Sequence, residues 1–218
     1  MAKITWDGSG ERYYESGVDH GVLYVQESTG TYGTGVAWNG LINVTESPEG
    51  AEPSDMWADN IKYGSLRSAE TFGGTIEAYT YPEEFEECDG NKMVSEGVYI
   101  GQQTRKSFGF CYRTKIGNDV NQDLGYKLHL VYGCTASPSE KSRDTINDSP
   151  EAATLSWEFD TTPVNVTGGD PTATIVIDSR TADPTDLATL EGKLYGSEPS
   201  GTPTLPSPDE VLAIFAGE

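Results

Sequence analysis

The stretch Thr75-Ile-Glu-Ala-Tyr-Thr-Tyr81 alternates with a period of two, and Lys127-Leu-His-Leu-Val-Tyr132 does so nearly as cleanly. Successive side chains of an extended strand point to opposite faces, so this period marks strands with one face buried. Working outward, residues 21–26 (GVLYVQ) read as a strand, as do residues 60–67, 73–81, 103–114, 125–135, 152–160 and 172–178. Residues 34–45 (TGVAWNGLINVT) place Val36, Trp38 and Gly40 on one face, with a phase change beginning at Leu41. Gly40 at that change predicts a bulge or a close backbone approach. The 25 glycines and 12 prolines fall between these short runs. Strands punctuated in this way predict a mainly β chain, an antiparallel β-sandwich or barrel rather than βαβ units.

Helical signals are few. In residues 82–88 (PEEFEEC), Pro82 at a first turn is followed by acids that favour the positive end of a helix dipole. This predicts one short flanking helix with Phe85 turned inward. Residues 183–195 begin with Asp183 as a cap before Pro184 and space Leu187, Leu190 and Leu194 along one helical face. Residues 206–216 carry Ser207 as cap, Pro208 in the first turn and Glu210 at the capping-box position. A Pro, Ser and Gly linker, residues 196–206, separates these two helices. The expected organisation is a β-sandwich domain with an N-terminal arm over residues 1–180, then a helical C-terminal extension over 181–218. The last helix, with Val211, Leu212, Ile214 and Phe215, is apolar around so much of its circumference that it is expected to dock, on its own domain or on a neighbouring subunit. Residues 46–60 (ESPEGAEPSDMWADN) read as a long acidic connection holding Met56 and Trp57. Long ordered loops in compact domains are commonly functional, so these two side chains are expected to meet a partner.

Thirty-five acidic residues against 14 basic ones give a formal net charge of −21. With 10% aromatic residues the chain is too aromatic for a disordered acidic tail. A pI near 4.2 excludes a DNA-gripping protein, which needs clustered Lys and Arg to release counterions. No cationic start leads into an apolar stretch, so no signal peptide is expected, and the longest apolar run, residues 211–216, is far too short to span a membrane. The expectation is a soluble, folded protein made in the cytoplasm. Cys88, Cys111 and Cys134 form an odd set with no CxxC pair and are expected to be buried, reduced thiols.

Motifs of enzymes are missing: GxGxxG, GxxxxGK[ST], HExxH and GxSxG do not occur. His20 and His129 lie in strand-like segments with no local nucleophile, and His129 between Leu128 and Leu130 is expected on the polar side of its strand. Glu83, Glu84, Glu86 and Glu87 read as a solvated face rather than a glycosidase pair. Asp119-Val-Asn121-Gln-Asp123 opens like a calcium loop, yet Leu124 stands where Gly is required and Leu130 where Glu is required. No catalytic residue, cofactor or metal is predicted.

Four phrases in order, residues 35–45 (GVAWNGLINVT), 58–63 (ADNIKY), 75–85 (TIEAYTYPEEF) and 125–135, give a chain that resembles the major tail tube proteins of long-tailed, non-contractile (siphovirus-type) bacteriophages over most of residues 1–180. The resemblance implies a β-sandwich with a short flanking helix that assembles into hexameric rings stacked as a hollow tube. It implies further that terminal arms and long loops tie the rings together, that other tail proteins join the tube ends, and that the tape-measure protein and DNA pass through the lumen without tight binding. Such a protein resides in the virion, is assembled in the host cytoplasm, and catalyses nothing. On this reading the large apolar residues outside regular strands, Trp6, Tyr13, Tyr14, Met56, Trp57 and Phe215, are the expected inter-subunit contacts, and an acidic lumen would repel DNA phosphates. The alternative is an acidic carbohydrate-binding or adhesin module whose Tyr and Trp residues form a sugar-stacking platform.

Overall fold

The computed structural model describes residues 4–50, 52–143, 145, 146, 148, 152–197 and 201–217. Strands β1 (Tyr14–Val25), β2 (Val36–Trp38), β3 (Leu41–Glu46), β4 (Glu49–Gly50), β5 (Pro53–Ala58), β6 (Ile61–Arg67), β7 (Glu70–Thr71) and β8 (Gly73–Ala78) come first. A 3-10 helix, Glu83–Glu87, then precedes β9 (Lys92–Ser95), β10 (Val98–Ile100), β11 (Phe108–Gly117), β12 (Gly125–Ala136), β13 (Leu155–Thr161) and β14 (Thr174–Asp178). Helices α1 (Pro184–Tyr195) and α2 (Pro208–Ala216) close the chain.

One antiparallel sheet runs β2-β1-β11-β12-β13-β8-β3, with β14 also on β12. Two places fold it into a sandwich. Strand β12 pairs β14 over Lys127–Val131 but β13 over Cys134–Ala136, and Gly133 at the break has φ +61. A Cβ there would lie 2.3 Å from the Thr162 carbonyl oxygen, so only glycine lets the strand pass between layers. At the other corner β2 pairs β1 and β3 pairs β8, and the intervening Gly40 takes φ +75, the phase change that the sequence marks. The first layer is therefore β2, β1, β11, β12 and β14, and the second is the end of β12 with β13, β8 and β3.

Between the layers lies an aromatic core of Trp38, Phe85, Phe108, Phe110, Trp157 and Phe159 with Leu23, Ile76 and Val131. Phe85 turns inward as expected, its ring 4.6 Å from Trp38 and 5.3 Å from Trp157 in tilted and edge-on arrangements that suit aromatic quadrupoles. On the outer side of the first layer, Val22, Tyr24, Leu128, Leu130 and Tyr132 meet Leu187, Leu190, Leu194, Leu205 and Val211. The C-terminal extension thus docks on its own chain as a third layer. Its caps form as the sequence indicates: Asp183 accepts from the Thr185 and Asp186 amides, and Ser207 and Glu210 make a reciprocal capping box. Asp209 ties α2 down by accepting from the Thr167 amide and hydroxyl, both at 2.8 Å. The three cysteines are free and buried. Among the described residues no helix is long and apolar enough to cross a membrane.

Several expectations need correction, among them the strand expected over 103–114, which begins at Phe108. Residues 46–60 are not a loop, because β5 pairs β6 in a hairpin whose base is the β4–β7 pair. The turn is Asp59-Asn60, with φ +52 and +61, a mirror-image turn that suits the strand twist and that Asp and Asn tolerate. Strand β1 begins at Tyr14 rather than residue 21, so Tyr14 belongs to the sandwich and not to the arm before it.

Candidate assembly surfaces

Both strands of the 46–72 hairpin, hereafter the arm, are exposed along nearly their whole length. Trp57 is 69% and Tyr63 75% exposed, and Met56, Ile61 and Leu66 also face solvent. Met56, Ile61 and Leu66 share one face of the arm, and apolar surface left uncovered in this way marks a contact site. A second, shorter hairpin, β9–β10, likewise exposes Met93, Val94, Val98 and Ile100. Its Tyr99 hydroxyl donates to Glu83, and Met93 and Tyr99 wall a cleft of about 450 Å³ against Val25, Glu27, Glu84 and Glu87.

The N-terminal segment is pinned at Gly10, whose amide donates to Asp119 Oδ1 at 2.9 Å and whose carbonyl accepts from Asn118 Nδ2 at 2.8 Å. Beyond that anchor Trp6 is 77% exposed. Tyr13 lies under the Arg180 guanidinium, 5.0 Å from ring centroid to Cζ, a cation–π contact. Of the residues singled out from sequence, Trp6, Tyr13 and Tyr14 therefore gather near the start of β1. Met56 and Trp57 lie on opposite faces of the arm, and Phe215 is half-buried against the helical layer of its own chain. The sequence reading missed Ile61, Tyr63, Leu66, Val94, Val98 and Ile100 as surface features. The signal that could have found the first three is Asp59-Asn60 flanked by extended runs.

A polar lock sits where the arm leaves the sandwich. Glu46, the last residue of β3, accepts from the Tyr112 hydroxyl at 2.6 Å and lies 3.2 Å from His129 Nδ1, close enough for an ion pair yet off-axis for a hydrogen bond. The His129 ring stacks on Tyr112 at 4.6 Å and 5°, and its Nε2 is 3.1 Å from Thr114 Oγ1. Thr114 in turn reaches Glu15, which Lys127 also holds. His129 first, then Tyr112, keep the Glu46 carboxyl below its ordinary value although burial opposes them. His129 is buried between the layers, not on a polar face as expected. Thr114, His129 and Glu46 stand in the order of a nucleophile, base and acid. The chemistry does not follow, because the Thr114 hydroxyl is directed to Glu15 and Glu46 is held by Tyr112, so the cluster joins β1, β3, β11 and β12 instead. His20 is engaged by Asp19 and Arg113, each at 2.8 Å.

Asp119 and Asn121 lie in a tight turn in which Asn118 Oδ1 accepts the amides of Val120 and Asn121. Among the described residues no group of three or more His, Cys, Asp or Glu side chains is placed to hold a metal ion. No protein-family model matches the chain, and no curated protein matches it.

Proposed function

We propose that this chain is a structural virion protein that self-assembles into stacked hexameric rings, forming the tail tube of a long-tailed, non-contractile bacteriophage through which DNA passes during infection. The observation that carries the reading is the arm: a two-stranded projection with Trp57, Ile61, Tyr63 and Leu66 exposed, which gains stability only when a neighbour covers it. The short hairpin and the anchored N-terminal segment supply further projections. The outer face of the second layer also fits a conduit. Ile76, Trp157 and Phe159 point into the core, so Thr75, Glu77, Ser156, Glu158 and Asp160 point away from it. No Lys or Arg occurs in β3, β8 or β13. Such a wall repels DNA phosphates within about 8 Å at physiological salt and lets the duplex slide. Other tail proteins at the tube ends and the tape-measure protein in the bore are the partners this role requires.

Electron microscopy of the purified full chain tests the reading. Rings or tubes are expected. A chain that stays monomeric at high concentration refutes it, and if that monomer binds glycans the carbohydrate-binding reading takes its place.

A further inference from the structure

We propose that successive copies of the chain join head to tail, with the uncharged face of the arm in one copy packed on the outer face of the β9–β10 hairpin in the next. This rests on the self-assembly reading and names the two surfaces that meet.

The arm has two unlike faces. Ser54 lies opposite Leu66, Met56 opposite Gly64, and Ala58 opposite Ile61, and directly opposite residues share a face. That face holds no charged side chain, in a chain with 35 acids. Its Ile61 and Leu66 are 63% and 60% exposed, so no described residue of the same copy covers it. The other face carries Asp55 paired with Lys62 at 2.7 Å, Arg67, and Trp57 opposite Lys62. The short hairpin is two-faced as well. Met93 and Tyr99, directly opposite each other, line the cleft beside Glu83 and Glu84. Val98 and Ile100 alternate with Tyr99 and so point the other way. With exposed Val94 they make an outer face whose only charge is Lys92, opposite Ile100. It contains no acid.

Position makes the two faces partners between copies. The arm leads into β8 at Gly73, and the chain leaves β8 at Ala78 on its way to the short hairpin. The 3-10 helix intervenes before β9, and the short hairpin closes on Val25, Glu27 and Lys106, whereas the arm is rooted at Glu46 and Gly73, so the two projections are unlike patches at different places on the subunit and neither covers the other within one copy. A contact between different patches of identical molecules is heterologous. It repeats in one direction and leaves each copy with one face of each kind to offer. Electrostatics narrows the choice further. Two bodies of charge −21 repel wherever acids meet acids, and the strand faces of these hairpins lack acids, the nearest being Asp59 and Glu96 in their turns.

Directed disulfide formation tests the pairing. Cys88, Cys111 and Cys134 are fully buried, so an introduced surface cysteine is the reactive thiol. Full-length Ile61→Cys and Val98→Cys proteins, mixed and mildly oxidised under assembly conditions, are expected to give a covalent dimer about tenfold above either protein alone. The double variant should give a ladder of oligomers. Ser65→Cys, on the charged face of the arm, serves as the control partner for Val98→Cys. Cross-linking no stronger than this control, while wild-type chains form tubes in micrographs, overturns the pairing and leaves the assembly reading standing. A strong dimer from Ile61→Cys alone means arm packs on arm and also overturns it. Wild-type chains that never assemble overturn both.

Discussion

Replacing Glu46 with Gln probes the lock at the root of the arm. The Glu46 carboxylate accepts from Tyr112 at 2.6 Å and faces His129 Nδ1 at 3.2 Å. A hydrogen bond to a charged group contributes about 1.5–3 kcal/mol. Because the side chain is 38% exposed, solvent screening reduces the gain to about 1 kcal/mol. Gln retains an oxygen for the Tyr112 hydroxyl, so the loss reports the charge rather than an orphaned phenol. His129 and Tyr112 hold the Glu46 carboxyl below its ordinary value. A carboxyl depressed in the folded state stabilises the protein above its unfolded pKa, about 4.3, and that stability disappears as pH falls through the lower folded value.

Urea denaturation of the unassembled wild-type and E46Q chains, stepped from pH 7 to pH 3, reads this directly, since subtraction cancels the other carboxylates. The expected difference is about 1 kcal/mol at pH 7, or roughly 2–4 °C in Tm for a domain of this size, shrinking toward zero near pH 3. Hydrogen exchange at β4 and β7 should quicken in E46Q at pH 7, because those pairs form the arm's base. A difference that stays flat across the range, or an E46Q chain more stable at pH 7, refutes the assignment of Glu46 as a charged lock.

Leu66→Ala, on the uncharged face of the arm and 60% exposed, should change folding stability by less than about 0.5 kcal/mol, as expected for an exposed site, while raising the concentration needed for assembly in light scattering. Loss of folding, or unchanged assembly, would remove Leu66 from the contact. Deleting residues 201–218 strips Leu205 and Val211 from the outer core, each contributing about 1.5–3 kcal/mol. Lowered stability with dye binding to the uncovered first layer is expected, and a truncated chain as stable as the whole would show that α2 adds nothing to the fold. Burial pushes the Cys88 and Cys111 thiols up to about 12 and raises Cys134 as well. A thiol reagent at pH 8 should therefore label none of the three until urea is added, and labelling of the native chain would refute their burial.

Strands β8, β12 and β13 were legible in the sequence because Ile76, Val131 and Trp157 turn into the same core at alternate positions, and β11 in part, since residues 103–107 of its expected run are not strand. The caps of α1 and α2 were legible because capping is local chemistry. The arm was not. A period-two signal arises only where burial selects one face, and β5 is exposed on both, so Pro53, Asp55, Met56 and Trp57 show no alternation to read. The same holds for β9, β10 and the first residues of β1. His129 failed for the opposite reason. Its alternation with Leu128 and Leu130 says that the two faces differ, but both are buried, one under α1 and α2 and the other between layers. Period alone does not say which face is wetter when a later helix covers the outer one.

Exposed two-stranded hairpins invite pairing with any passing edge, and under the proposed assembly the chain has to stay dispersed until assembly begins. The charge distribution offers a means. At −21 per chain, two copies repel at long range, and in the proposed contact the acid-free strand faces of the hairpins meet and bury apolar surface only on close approach. The barrier is then electrostatic while the contact is not, and salt separates the two. Raising ionic strength from 0.1 M to 1 M shortens the Debye length from about 10 Å to about 3 Å, which weakens repulsion between bodies but leaves apolar burial intact. Assembly followed by light scattering should therefore start sooner and at lower subunit concentration as sodium chloride is raised. If salt instead dissolves preformed assemblies, ion pairs between copies hold them together, and the uncharged faces of the arm and the short hairpin are not what joins them.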